Sequence, residues 1–67
     1  MIKPGLIKFN DTIEFEYNGK IYQGIVEDIE HIELSWGKKY DEYGVRVDGE
    51  DQLFVIRHED VKNIIQR

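Results

Sequence analysis

The segment Thr12-Ile13-Glu14-Phe15-Glu16-Tyr17 alternates polar and apolar residues without a break and runs straight into Asn18-Gly19. Successive side chains of an extended strand point to opposite faces, so Ile13, Phe15 and Tyr17 share one face and Glu14 and Glu16 the other. Asn-Gly is the pair best suited to a two-residue type I′ turn, because both central residues there need positive φ. The chain is therefore predicted to fold back at once through Lys20-Ile21-Tyr22-Gln23-Gly24-Ile25-Val26. A two-residue loop also sets the register, with Phe15 opposite Tyr22 and Ile13 opposite Gly24, the glycine on the buried side. Glycine inside a strand marks a bulge or a close backbone approach, and Gly24 is read as the bend that lets a long second strand curl.

The apolar residues point the same way: ten are Ile, five Val and eight aromatic, and none is Ala. Stiff β-branched and aromatic side chains suit a pleated, half-buried surface, and the best helix former is missing. An all-β domain is expected, and 67 residues leave room for a single one, spanning 1–67.

Further along, Ile29, Ile32, Leu34 and Trp36 follow period two over the last three, so 32–36 is read as a third strand or the far end of the bent second one. A helix is the alternative there, since Val26, Ile29 and Glu33 lie near helical spacing. Gly37-Lys38-Lys39-Tyr40-Asp41-Glu42 breaks the pattern and is expected to be an exposed loop. Tyr43 to Val47 reads as a strand, Asp48-Gly49 as a second primed turn, and Gln52 to Ile56 as the next strand. Arg57-His58-Glu59-Asp60 interrupts the apolar run before a short closing segment, 61–65.

This order resembles an SH3-like small barrel of the KOW and Tudor kind. The likeness rests on Asn10-Asp11-Thr12-Ile13, on Tyr22-Gln23-Gly24-Ile25-Val26, and on the closing stretch from Phe54 to Ile64. In KOW-like barrels the first motif usually reads Gly-Asp and the second Gly-x-Val; here Asn10 takes the place of the glycine, while Gly24 and Val26 keep the second. The chain is also similar to short KOW-like proteins of Gram-positive bacteria and their phages. The resemblance covers roughly residues 9–65. It implies a five-stranded barrel with a short 3₁₀ turn before the last strand, residues 1–8 forming a partly ordered lead-in, and it carries over no site residue.

Composition narrows the function. The absence of cysteine removes disulfides, thiolate metal sites and cysteine nucleophiles, and favours a cytoplasmic location. No leader-like apolar run opens the chain, and the longest apolar stretch, Leu53-Phe54-Val55-Ile56, is far below the roughly 20 residues that cross a bilayer as a helix. No membrane association is expected. Nine Lys+Arg against fourteen Asp+Glu give net −5, so any hold on nucleic acid has to be local. No phosphate loop, nucleophile elbow or zinc helix is present, and a barrel this small fills its interior with side chains, so no enzyme and no cofactor are expected.

Three groupings are candidate contact surfaces. Trp36, Lys38, Lys39 and Tyr40, with Tyr43 just beyond, place rings beside cations in a way that suits base stacking; the plain alternative is that Trp36 plugs the barrel mouth and the lysines are solvated. Tyr17 and Tyr22 flank the Asn18-Gly19 turn and would rim a groove shared with Tyr40, or else form core edges with wet tips. Glu27, Asp28, Glu30 and Glu33 would form an acidic face, with Asp41, Glu42, Asp48, Glu50 and Asp51 as a second acidic stretch, unless these are simply solvated. His31 and His58 have no second histidine at ligand spacing, and Asp48-Gly49-Glu50-Asp51 lacks the remaining ligands of a calcium loop, so no metal is expected.

The expectation is a binding module acting through a protein partner by its acidic face and the 36–43 loop. A KOW-type nucleic-acid binder is the first alternative, using Lys38, Lys39, Trp36 and Tyr40 with Lys8 and Lys20. An acidic mimic of nucleic acid is the second. Edge strands make either a monomer or a weak homodimer the expected state.

Overall fold

The computed structural model describes residues 2, 3 and 5–66. It is all-β: β1 Thr12–Tyr17, β2 Lys20–Glu33, β3 Lys39–Arg46, β4 Phe54–Arg57, a 3₁₀ turn η1 His58–Asp60, and β5 Val61–Gln66. All neighbours pair antiparallel in one sheet of order β4-β3-β2-β1-β5. The sheet is not closed by hydrogen bonds, so β4 and β5 are its edges, joined directly through η1. No helix among the described residues is long and apolar enough to cross a membrane.

The first hairpin follows local chemistry. Asn18 and Gly19 take φ of 51° and 79°, and the register has Phe15 opposite Tyr22 and Ile13 opposite Gly24. Ile13 and Phe15 are wholly buried, and with Val26, Tyr43, Val45, Ile56, Val61 and Ile7 they form the core. Ile7 and the half-buried Ile2 carry the lead-in onto that core; Met1 and Pro4 of the expected 1–8 lead-in lie outside the described residues. Asn10 adopts φ 72°, the left-handed region where glycine is at home and Asn is tolerated. The next residue, Asp11, is buried and accepts the Lys8 amide at 2.9 Å, while its carbonyl accepts from Val26.

β2 is the spine. Its first half pairs with β1 up to Ile25, and its second half pairs with β3 from Ile25 to Glu33. At the handover a β-carbon on Gly24 would sit 2.5 Å from the Arg46 carbonyl oxygen and 2.6 Å from Val45 Cγ1. The glycine is thus the place where β3 approaches the bent strand. The register irregularity itself comes slightly later, between Val26 and Asp28, and turns both Glu27 and Asp28 outward.

Several expectations are corrected. Of the stretch 32–36, Ile32 and Glu33 are the far end of β2, as one of the two strand readings has it, and there is neither a third strand nor a helix; residues 34–38 form the turn, closed by Leu34 N–H to the Lys38 carbonyl and Gly37 N–H to the Leu34 carbonyl. Residues 39–42 are strand, not loop. The Asp48-Gly49 turn is not of the primed kind, because only Gly49 has positive φ (85°), as a type II turn requires. Nor does it join two adjoining strands directly: β3 ends at Arg46, β4 begins at Phe54, and 47–53 are loop, so Gln52 and Leu53 lie outside the strand.

Candidate binding surfaces at the two ends of the sheet

The first surface is an open cleft of about 640 Å³ where the start of β3, η1 and the start of β5 meet. Lys38, Lys39, Tyr40 and Asp41 contribute from β3 and its turn, Arg57 from the end of β4, His58 and Glu59 from η1, Val61 and Lys62 from β5, and Ile2 from the lead-in. Four cations thus stand against two carboxylates in a chain of net charge −5. The Arg57 guanidinium carbon lies 4.5 Å from the centre of the Tyr40 ring, a cation–π contact that holds both side chains in place. Lys39 is shared with Glu33 at 3.3 Å and Lys62 with Glu16 at 3.6 Å, both pairs solvent-exposed and weak. Lys38 makes no ion pair among the described residues. Asp41 is engaged by His31, Nδ1 to Oδ1 at 2.7 Å.

Trp36 stands on the turn two residues before Lys38 and is 74% exposed, so it plugs nothing. Tyr43 is removed from the contact set: it is 2% exposed and belongs to the core. Its strand parity sets it opposite Ile56 and Ile29, whereas Tyr40 and Glu42 fall on the other face. The Tyr43 hydroxyl meets His58 Nδ1 at 2.7 Å, and His58 Nε2 lies 2.6 Å from the Ile2 carbonyl. A carbonyl only accepts, so Nε2 donates to it, and in the neutral imidazole Nδ1 then accepts from the Tyr43 hydroxyl. Burial, with the nearby Asp41 carboxylate adding to it, pushes the Tyr43 phenol up to about 12. His58 therefore fastens the lead-in to β3 and forms a wall of the cleft. Sequence gives no signal for this bridge, nor for the arrival of Arg57 and Lys62 beside Lys38.

The second surface lies at the other end of β4. Tyr17, Tyr22 and Phe54 gather over Phe15: Tyr17–Phe54 and Tyr22–Phe54 centroids are each 4.9 Å apart, and Phe15–Tyr22 5.8 Å. Tyr17 and Phe54, with Gly49, Glu50, Asp51, Gln52 and Leu53, line a hollow of about 370 Å³. The groove expected to join Tyr17 and Tyr22 with Tyr40 does not form, because Tyr40 lines only the cleft and the two cavities share no residue. Lys8 and Lys20 line neither.

The acidic face is divided. Glu27 is held by the Arg46 guanidinium, whose Nη2 donates at 3.0 Å, and that hydrogen bond holds its carboxyl below the usual range and raises Arg46. Asp28 and Glu30 face outward beside it, but Glu33 has the opposite parity to Glu30 and pairs with Lys39. Among the described residues no group of three His, Asp or Glu gathers as a metal site. In comparisons with known proteins, no family model, curated protein or solved structure matches the chain.

Proposed function

We propose that this protein is a non-enzymatic binding module, an SH3-like barrel working in the cytoplasm, whose basic cleft takes single-stranded nucleic acid. The observation that carries the reading is the gathering of Lys38, Lys39, Arg57 and Lys62 round Tyr40 in a chain that is acidic overall. A basic groove tracks the phosphates of a single strand, and the flat rings beside it stack bases at about 1–3 kcal/mol each. Trp36, exposed two residues from Lys38, offers the second ring. The barrel assignment is supported by the strand order, by the bent β2 and by the short η1 between β4 and β5. A protein partner is the second reading, favoured by the anionic hollow at the opposite end of β4. The mimic reading needs an undivided acidic face and draws least support.

Trp36 is the chain's one tryptophan and stands on the turn that leads into the cleft, so its fluorescence reports on a strand bound beside it. Titration with oligothymidylate at low salt is expected to quench it, with log K falling against log salt by about 0.7 per phosphate neutralised. Lys38→Glu combined with Arg57→Ala is expected to weaken binding roughly tenfold or more. No quenching at low salt, or quenching indifferent to the double variant, overturns the reading.

A further inference from the structure

The two edges of the sheet differ in how far they are closed to another strand. β5 carries Lys62 and meets β1 through two register irregularities. β4 pairs with β3 without any and holds neither proline nor lysine. Lysine, proline and bulges keep an edge from taking up a further strand, so β4 is the open one. It also lies in the longest apolar run of the chain, Leu53-Phe54-Val55-Ile56, of which Leu53 is 40% and Val55 61% exposed. The Arg57 N–H donates to the Asp60 carboxylate at 3.2 Å and so points away from β3. Alternate residues of an antiparallel strand share that direction, which sets the backbone groups of Val55 and Leu53 on the open side and those of Phe54 and Ile56 toward β3. Their side chains share a face as well: Leu53 Cδ1 is 3.5 Å from where a β-carbon on Gly44 would stand, and Gly44 is opposite Val55.

We propose that β4 pairs antiparallel with β4 of a second copy of this chain, Val55 of each opposite Leu53 of the other, so that two sheets become one. The open backbone groups restrict the register, because hydrogen bonds close only where 53, 55 and 57 face one another or residues of the same parity. With Val55 opposite Val55, Leu53 would meet Arg57 and Asp51 would meet Glu59. With Leu53 opposite Leu53, Val55 would meet Asp51; with Val55 opposite Arg57, Leu53 would meet Glu59. Val55 opposite Leu53 covers both exposed apolar side chains and sets Arg57 against Asp51 at either end of the ladder. Opposite charges facing across strands stabilise a pair and like charges weaken it, so the sequence favours this register. A two-fold axis through the Phe54 pair relates the copies, and such a contact closes on itself. Gln52 and Leu53, loop in the single copy, extend β4 on pairing, as their alternation with Phe54 and Val55 suits. The −5 on each copy opposes association and keeps it weak. The proposal stands on this edge and does not depend on what the cleft holds.

The test is sedimentation velocity of the whole chain from micromolar to millimolar concentration, where a reversible equilibrium of monomer and dimer is expected. Val55→Lys places a charge on the edge, and Asp51→Arg turns both Arg57–Asp51 pairs into like-charge contacts. Each is expected to weaken dimerisation about tenfold, since two-fold symmetry counts every change twice. Combining Asp51→Arg with Arg57→Asp exchanges the charges and is expected to bring the affinity back to within about threefold of the unaltered chain. Asp51, Val55 and Arg57 are all exposed, so these variants keep the fold. A chain that stays monomeric at millimolar concentration, a dimer that Val55→Lys leaves as tight as before, or exchanged charges that give no recovery overturns the proposal.

Discussion

The two ends of this sheet are built from the same strands and carry opposite chemistry. Where β2 and β3 turn, Lys38, Lys39, Arg57 and Lys62 outnumber the two carboxylates; where β1 and β2 turn, Glu50 and Asp51 sit beside Tyr17 and Phe54 with no cation in the lining. A net charge of −5 describes neither end. It sets the far field that a partner meets first, while what is held at contact is decided within a Debye length, roughly 10 Å in ordinary salt. The ends also differ in how they are fixed. The hollow rests on rings packed over Phe15, whereas the cleft is assembled from three separated stretches and depends on His58 holding Ile2 and Tyr43 together.

The harshest way to break the comparison is to remove the frame both ends share. Gly24→Val puts a branched side chain where a single β-carbon already meets the Arg46 carbonyl oxygen at 2.5 Å. The expected cost is about 3 kcal/mol. In thermal unfolding that amounts to a loss of roughly 10–20 °C in Tm for a domain this small. Retention of wild-type Tm would mean that β3 does not approach β2 there.

His58→Phe separates the ends. It leaves the Ile2 carbonyl and the Tyr43 hydroxyl without their partner, at about 1–3 kcal/mol, and withdraws a wall of the cleft. Oligothymidylate affinity is expected to fall with Tm, while the proton–proton contacts of the Tyr17 and Phe54 rings, measured below the new Tm, stay unchanged. Loss at both ends would show that the latch supports the whole fold and not the cleft.

Tyr43→Phe is milder and sharpens the burial assignment. With the folded phenol at about 12 against 10.0 ordinarily, the neutral ring contributes stability that is fully present below pH 10 and is lost as pH rises through about 12. Ultraviolet titration is expected to show one tyrosine ionising above the rest, a step that the Phe variant lacks. Four tyrosines ionising together would place Tyr43 in water.

The smallest effect is reserved for Arg46→Gln on the outer face, away from both cavities. Glu27, held low by Arg46, contributes stability present above its ordinary 4.5 and lost as pH falls. The variant is expected to flatten that acid limb slightly and to leave oligothymidylate affinity alone, since exposed pairs add little. A clear change in that affinity would tie the outer face to the cleft.

Legibility in the sequence follows the same division. The first hairpin, its register and the buried parity of Ile13 and Phe15 were readable because they depend on neighbours in sequence: an alternation and an Asn-Gly corner. The start of β3 was not, because Lys39–Glu42 pair with Glu30–Glu33 in a ribbon that runs past the core, so polar residues occupy both faces and no alternation appears. Tyr43 was misread as surface for that reason, being the first residue of β3 to reach the interior. The Lys38-Lys39-Tyr40 end of the cleft, with Trp36 on the turn before it, was visible as a local cluster. Its other half was not, since Arg57 and Lys62 reach it only through the η1 connection, which no short-range pattern encodes. The acidic run 27–33 looked like one face because a β-bulge and strand parity, which divide it, leave no mark on a charge count.

The most direct test of two independent ends of opposite sign is a titration with oligothymidylate at low salt, read amide by amide. The polyanion is expected to move Lys38, Tyr40 and Lys62 and to leave Gly49 and Gln52 where they stand in the free protein. Shifts of equal size at both ends, or shifts at Gly49 and Gln52 alone, would contradict the account.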